Sequence, residues 1–192
     1  MSSAAGVIEP DRPAPALEVS AWLNVPAGQA PAIAALRGRV IVLHAFQMLC
    51  PGCVSHGLPQ AQRIHEHFDP AEVAVIGLHS VFEHHEAMTP NALRAFVHEY
   101  RWNFPIAIDR QDHGDRIPRS MRAYRMQGTP TLILIDRDGL VRSHWFGRPG
   151  DLEVGAAIAG LVAGSTRPGR SAEPPESTGG VCRDQACDLP RA

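Results

Sequence analysis

The run Val40-Ile41-Val42-Leu43-His44-Ala45-Phe46 restricts the possible folds of this chain more than any other stretch. It shows no alternation of polar and apolar residues, and it is rich in β-branched side chains. Such a run reads as a strand covered on both faces, and a strand of that kind needs helices on both sides of its sheet. Val73–Leu78 is a second run of the same type. Between them Leu58, Ala61, Ile64, His65 and Phe68 recur at helical spacing over Val54–Phe68, with Pro59 inside, where a kink is expected. Strand, helix, strand predicts an α/β fold: a central mixed β-sheet flanked by helices on both faces.

Further elements extend the pattern. Leu17–Leu23 reads as a short edge strand, and Ala32–Leu36 as one helical turn ending at Gly38. Thr89-Pro90 supplies an N-cap followed by the favoured first-turn proline, and Leu93, Phe96, Val97 and Tyr100 form the apolar stripe of the helix behind it. Phe104–Ile108 is a short strand and Ile117–Met126 a short helix. Thr131–Ile135 and Leu140–Trp145 flank the turn Asp136-Arg137-Asp138-Gly139, which makes the last two strands an antiparallel hairpin. Leu152–Val162 closes the domain as a helix. The chain thus divides into an extended segment 1–14, a folded domain 15–163 and a tail 164–192, whose Pro, Gly, Ser, Glu and Arg content reads as flexible.

Of 192 residues, 44% are hydrophobic, enough for a core that needs no disulfide staples. A net charge of −2 provides no basic field, so nucleic acid is not an expected partner. The first residues show neither a basic start nor an apolar run of signal-peptide length, and no window reaches membrane-spanning length. The expected location is therefore cytoplasmic. The four cysteines fall in two close pairs, Cys50/Cys53 and Cys182/Cys187, unlike the dispersed cysteines of a disulfide scaffold.

Cys50-Pro51-Gly52-Cys53 lies directly between the first buried strand and the helix that follows it. A sulfur at a helix N-terminus meets free amides and a partial positive charge, which favour the thiolate. A thiolate opposite a ready partner is what thiol–disulfide exchange requires. Cys50 is the expected nucleophile and Cys53, about one turn deeper, the resolving thiol. Pro51 and Gly52 stand where they tune the thiolate and the potential. A zinc site built on Cys50, Cys53 and His56, or on His65, His67, His79, His84 and His85, is the weaker alternative, because this geometry presents thiols rather than closing a tetrahedron. No metal and no cofactor are expected.

With these motifs in this order, the chain resembles the thioredoxin-fold proteins, and most closely the TlpA-like and redoxin group of thiol–disulfide oxidoreductases. The resemblance spans about Pro15 to Val162. It rests on Leu36-Arg37-Gly38-Arg39-Val40, Cys50-Pro51-Gly52-Cys53, Gly57-Leu58-Pro59 (similar to that group's Glu-Leu-Pro), Gly128-Thr129-Pro130-Thr131 and Asp136-Arg137-Asp138-Gly139. It implies a thioredoxin-like fold and an enzyme exchanging disulfides with a protein or small-thiol substrate, served by an unidentified electron donor or acceptor. It also implies that Pro130 follows a cis bond from Thr129, and that this loop forms the substrate-side wall beside Cys50; the alternative is an ordinary trans proline starting an edge strand.

The departures carry information. Leu49 stands where many relatives have Trp, and His44 where thioredoxins have a buried acid. His44 can accept the Cys53 proton during resolution, since imidazole titrates near neutrality; the alternative is a histidine satisfied by a backbone carbonyl. Gln47 stands where peroxiredoxins need Thr, which disfavours a thiol peroxidase. A non-catalytic metal- or partner-binding module is the other alternative. Cys182 and Cys187, separated by four residues in the tail, form a relay to Cys50/Cys53, or else a loose local dithiol that forms a disulfide or picks up metal ions.

Overall fold

The computed structural model describes residues 10–26 and 28–164; Cys182 and Cys187 lie outside the described residues. The elements are β1 (Val19–Leu23), a 3-10 turn (Ile33–Leu36), β2 (Val40–Phe46), a widened π-type turn (Cys53–Gly57) and α1 (Leu58–His67). They continue with β3 (Val73–His79), α2 (Pro90–Glu99), β4 (Ile106–Asp109), α3 (Arg119–Ala123), β5 (Thr131–Ile135), β6 (Val141–Phe146) and α4 (Asp151–Val162).

One sheet holds all six strands in the order β1-β4-β3-β2-β5-β6. β2, β3 and β4 run parallel, while β1, β5 and β6 each pair antiparallel with a neighbour. β2 is central, and every one of its residues is buried. Its alternate side chains feed two cores. Val40, Val42 and Phe46 pack with Leu58, Ala61, Ile64, Leu93, Val154 and Ile158 from α1, α2 and α4. Ile41, Leu43 and Ala45 pack with Ile33, Leu36, Met121 and Tyr124 on the other face. Burial on both faces explains why β2 lacks polar alternation.

The expected helix and strand order is present, with local differences that have physical causes. The kink expected at Pro59 is absorbed just upstream. Proline has no N–H and its ring collides with the carbonyl four residues back in a regular helix. Here the Leu58 N–H reaches Cys53 O instead, one residue further than in an α-helix, so Cys53–Gly57 forms the wider turn. α3 is shorter than Ile117–Met126. Pro118 stands at its N-cap, and Arg125 leaves helical geometry with φ +51°. Its first amides are capped from β4: Ser120 N–H and Met121 N–H donate to the Asp109 carboxylate at 2.9 and 3.0 Å. β4 begins only after Pro105, which has no amide to give to the ladder. The capping expectation at α2 is met: Thr89 Oγ1 accepts the Ala92 N–H at 3.2 Å, with Pro90 at the first turn. In the hairpin, Asp136 Oδ1 accepts from Asp138 N–H and Leu140 N–H.

Candidate functional site

The site lies where β2 ends and the following helix begins. Cys50 N–H donates to Gln47 O at 3.2 Å, and Cys53 N–H and Val54 N–H close on Cys50 O at 3.0 and 3.1 Å. Both thiols are free. Cys50 is partly exposed, whereas Cys53 is fully buried in the core beneath it. Cys50 Sγ accepts the Cys53 backbone N–H at 3.2 Å and faces Thr129 O at 3.5 Å. Burial pushes the Cys53 thiol up to about 12, and the neighbouring Cys50 adds to that shift. The two sulfurs thus stand in unequal environments, one reachable and held by a helix-start amide, the other dry.

The facing wall is the Gly128–Thr131 loop. The Thr129–Pro130 peptide bond is cis. Pro130 is buried and Thr129 partly exposed. Thr131 Oγ1 donates to Gly128 O at 2.7 Å and pins the loop. Pro130 O is already taken by the Gly147 N–H at 2.8 Å, so Thr129, rather than Pro130, offers the exposed part of this wall. Pro51 is exposed and Gly52 partly so. A Cβ added at Gly52 would stand 3.3 Å from Pro130 Cδ, which shows how closely the segment between the cysteines approaches the loop.

His44 points to the same face of the sheet as Cys53. It is fully buried, and neither ring nitrogen has a hydrogen-bond partner among the described residues, so the alternative of a carbonyl-satisfied histidine is not what this structure contains. Desolvation, assisted by His56, lowers its pKa to about 4, so the imidazole is neutral at pH 7. The space it occupies is provided by Gly57. A Cβ there would stand 2.4 Å from His44 Cε1 and 2.5 Å from Nε2. Sequence reasoning noted His44 and Gly57 separately and missed that they are complementary. The signal was present, because a Glu-like position had become Gly just where an acid-like position had become the larger His.

Gln47 is buried and committed. Its Oε1 accepts the Phe82 N–H at 3.1 Å and its Nε2 donates to Glu83 at 3.2 Å, so it braces the loop after β3. His56 Nε2 lies 3.1 Å from Pro149 O. Among the described residues no three His, Cys, Asp or Glu side chains are arranged to hold a metal. A segment not anticipated from the sequence completes the rim. Gly147 binds Pro130 O, and Pro149 O also accepts the Gln60 Nε2–H at 3.0 Å, tying the β6–α4 loop to both the cis-proline loop and the thiol-bearing helix.

Comparison with known proteins agrees with this geometry. Residues 10–144 match the AhpC/TSA family. A crystal structure of a thioredoxin-like superfamily protein is similar, with 52% identity and a TM-score of 0.75, covering 78% of this chain and 96% of that one. A thiol-disulfide isomerase from Corynebacterium glutamicum is 44% identical with a TM-score of 0.73, covering 84% of this chain and 99% of that one. The protein DipZ of Mycobacterium tuberculosis is 26% identical over 178 residues, which are 92% of this chain but only 24% of DipZ, so the chain spans about a quarter of that relative's length. No helix among the described residues is long and apolar enough to cross a membrane. Buried central strand, helix-start thiol pair, cis-proline wall and these similarities together show that the chain belongs to the AhpC/TSA family and has the thioredoxin-like fold.

Proposed function

We propose that the chain exchanges disulfides with protein or small-thiol substrates, with Cys50 as nucleophile and Cys53 as resolving thiol. The observation that carries this is the asymmetry of the pair: a reachable Cys50 Sγ receives a backbone N–H, above a buried Cys53 whose proton is tightly held. The Cys50 thiolate attacks one sulfur of the substrate disulfide, forming a mixed disulfide and releasing one substrate thiolate, which takes up a proton. Cys53 then gives up its proton and attacks Cys50 Sγ. The Cys50–Cys53 disulfide closes and the second substrate thiol leaves. Two electrons pass from the pair to the substrate, and the reverse sequence oxidises a substrate dithiol. Burial of Cys53 means that resolution begins only when its proton finds an acceptor. His44 lies on the same sheet face, but with its value lowered to about 4 it is too weak a base for that thiol, so in this proposal the departing substrate thiolate takes the proton.

The test is a pair of cysteine variants. Cys53→Ser should accumulate a mixed disulfide through Cys50, visible by intact mass, while Cys50→Ser should abolish turnover. A Cys50→Ser variant that still turns over would overturn the assignment. His44→Leu should leave resolution unchanged between pH 6 and 8, and a slowed rate there would return His44 to the mechanism as the proton acceptor.

The relay by Cys182 and Cys187 belongs to the same proposal and is supported by sequence alone. Cys182 and Cys187 follow α4 in a Gly-, Ser- and Pro-rich stretch of the sequence. A Cys50–Cys182 or Cys50–Cys187 crosslink trapped in Cys53→Ser is the expected result. If neither forms while mixed disulfides with added substrate do, the tail plays no part in the exchange.

A further inference from the structure

The loop from Phe146 to Gly150 has a fixed backbone and outward side chains. Gly147 N–H is bonded to Pro130 O, and Pro149 O receives both Gln60 Nε2–H and the His56 ring. Asp151, at the start of α4, accepts from Gln60 at 2.8 Å and pairs with Arg63 at 2.9 Å. Between these anchors two large side chains remain in solvent. Phe146 is 56% exposed, and its ring edge lies 3.0 Å from where a Cβ on Gly128 would stand, immediately before the Thr129–Pro130 wall. Arg148 is exposed, and its Cδ lies 3.9 Å from the corresponding point on Gly52, between the two cysteines. No carboxylate is paired with Arg148 among the described residues. On the chain side of the thiol, Leu49 is 57% exposed and directly precedes Cys50. An aromatic ring and a leucine left in water beside a reachable thiol, together with an uncompensated guanidinium, are unfavourable for an isolated fold and favourable for a partner that covers them.

We propose that Phe146 and Arg148 read the residues flanking the substrate's reacting cysteine. The partner they fit is an extended polypeptide segment with an apolar side chain next to that cysteine and a carboxylate within two residues of it. Phe146 and Leu49 take the apolar side chain, while Arg148 pairs with the carboxylate at the rim. This rests on the exchange chemistry proposed above and adds substrate selectivity to it. The rigid backbone keeps the ordering cost of binding low, and the rim charge acts chiefly on encounter.

The test uses the full reduced chain and synthetic peptides with one cysteine blocked as its disulfide with 2-mercaptoethanol. The cysteine is flanked by Leu and Asp, Leu and Lys, Ser and Asp, or Ser and Lys, in both orders, and each kcat/KM is normalised to the rate on the disulfide of 2-mercaptoethanol itself. The Leu/Asp peptides should exceed the Ser/Lys peptides by about tenfold at low salt, and raised salt should erase the Asp/Lys part of that difference. Arg148→Glu should invert the Asp/Lys preference. Phe146→Ala should remove the Leu/Ser preference and leave the Asp/Lys one. Wild-type protein that is active yet indifferent to the flanks, or an Arg148→Glu variant that still prefers Asp, would overturn this inference alone. Wild-type protein inert on every disulfide would overturn it together with the exchange reading.

Discussion

His44 and Gly57 share one volume, and each explains the other. An imidazole with both nitrogens unpartnered in a dry core costs stability, about 1–3 kcal/mol for a buried polar group left unsatisfied. His44→Leu keeps the size and removes the polar atoms, so it should raise stability by about 1–2 kcal/mol in chemical denaturation. Gly57→Ala drives a methyl into the ring and should cost about 1–3 kcal/mol. In a His44→Ala background the same change should cost much less, and the coupling can be read from a double-mutant cycle. Cys50, Cys53, Thr129 and Pro130 were legible from sequence because short motifs carry them. The His44–Gly57 fit was not, because it depends on a contact between a strand and a helix turn that no local pattern encodes.

At the scale of elements, hydrophobic period and punctuation were informative wherever the forces are local. β2 showed itself by its unbroken apolar run, and α2 by Thr89-Pro90 and its stripe. Thr89→Ala should therefore cost about 1 kcal/mol, measured as a shift in the denaturation midpoint at unchanged slope. The errors arose where an element is ended or shaped from elsewhere. Pro59 announced a disturbance, but it appears as a widened turn upstream because the carbonyl it would strike lies there. The start of α3 is capped by Asp109, eleven residues back on a different element, which no helix-capping pattern reveals. No sequence pattern marks the β6–α4 loop, since its importance resides in bonds from its backbone to Pro130, His56 and Gln60.

Taken whole, the molecule carries buried imidazoles on two neighbouring strands, His44 on β2 and His79 on β3, and both titrate near pH 4 because burial disfavours their charged forms. Their unfolded values are near 6.5, so the unfolded chain binds more protons between those limits. Stability should therefore be full above about pH 6.5 and fall as the pH drops towards 4, by about 2 kcal/mol per histidine at pH 5. Asp109, whose pKa burial raises, opposes part of this loss at the acid end. Denaturation midpoints measured from pH 7.5 to 4.5 should show the decline, and His44→Leu should flatten it by about one proton. The sheet and its layers were readable in advance because alternating strands and helices admit few arrangements. The meeting of distant segments at one rim was less so. That meeting has a consequence for biosynthesis. Cys50 contacts Thr129 across 79 residues of chain, and His56 contacts Pro149 across 93. At translation rates of about 5–20 residues per second, the thiols leave the ribosome about 4–16 seconds before the wall that will face them exists. For that interval a nascent chain carries its reactive pair with nothing to select what it meets.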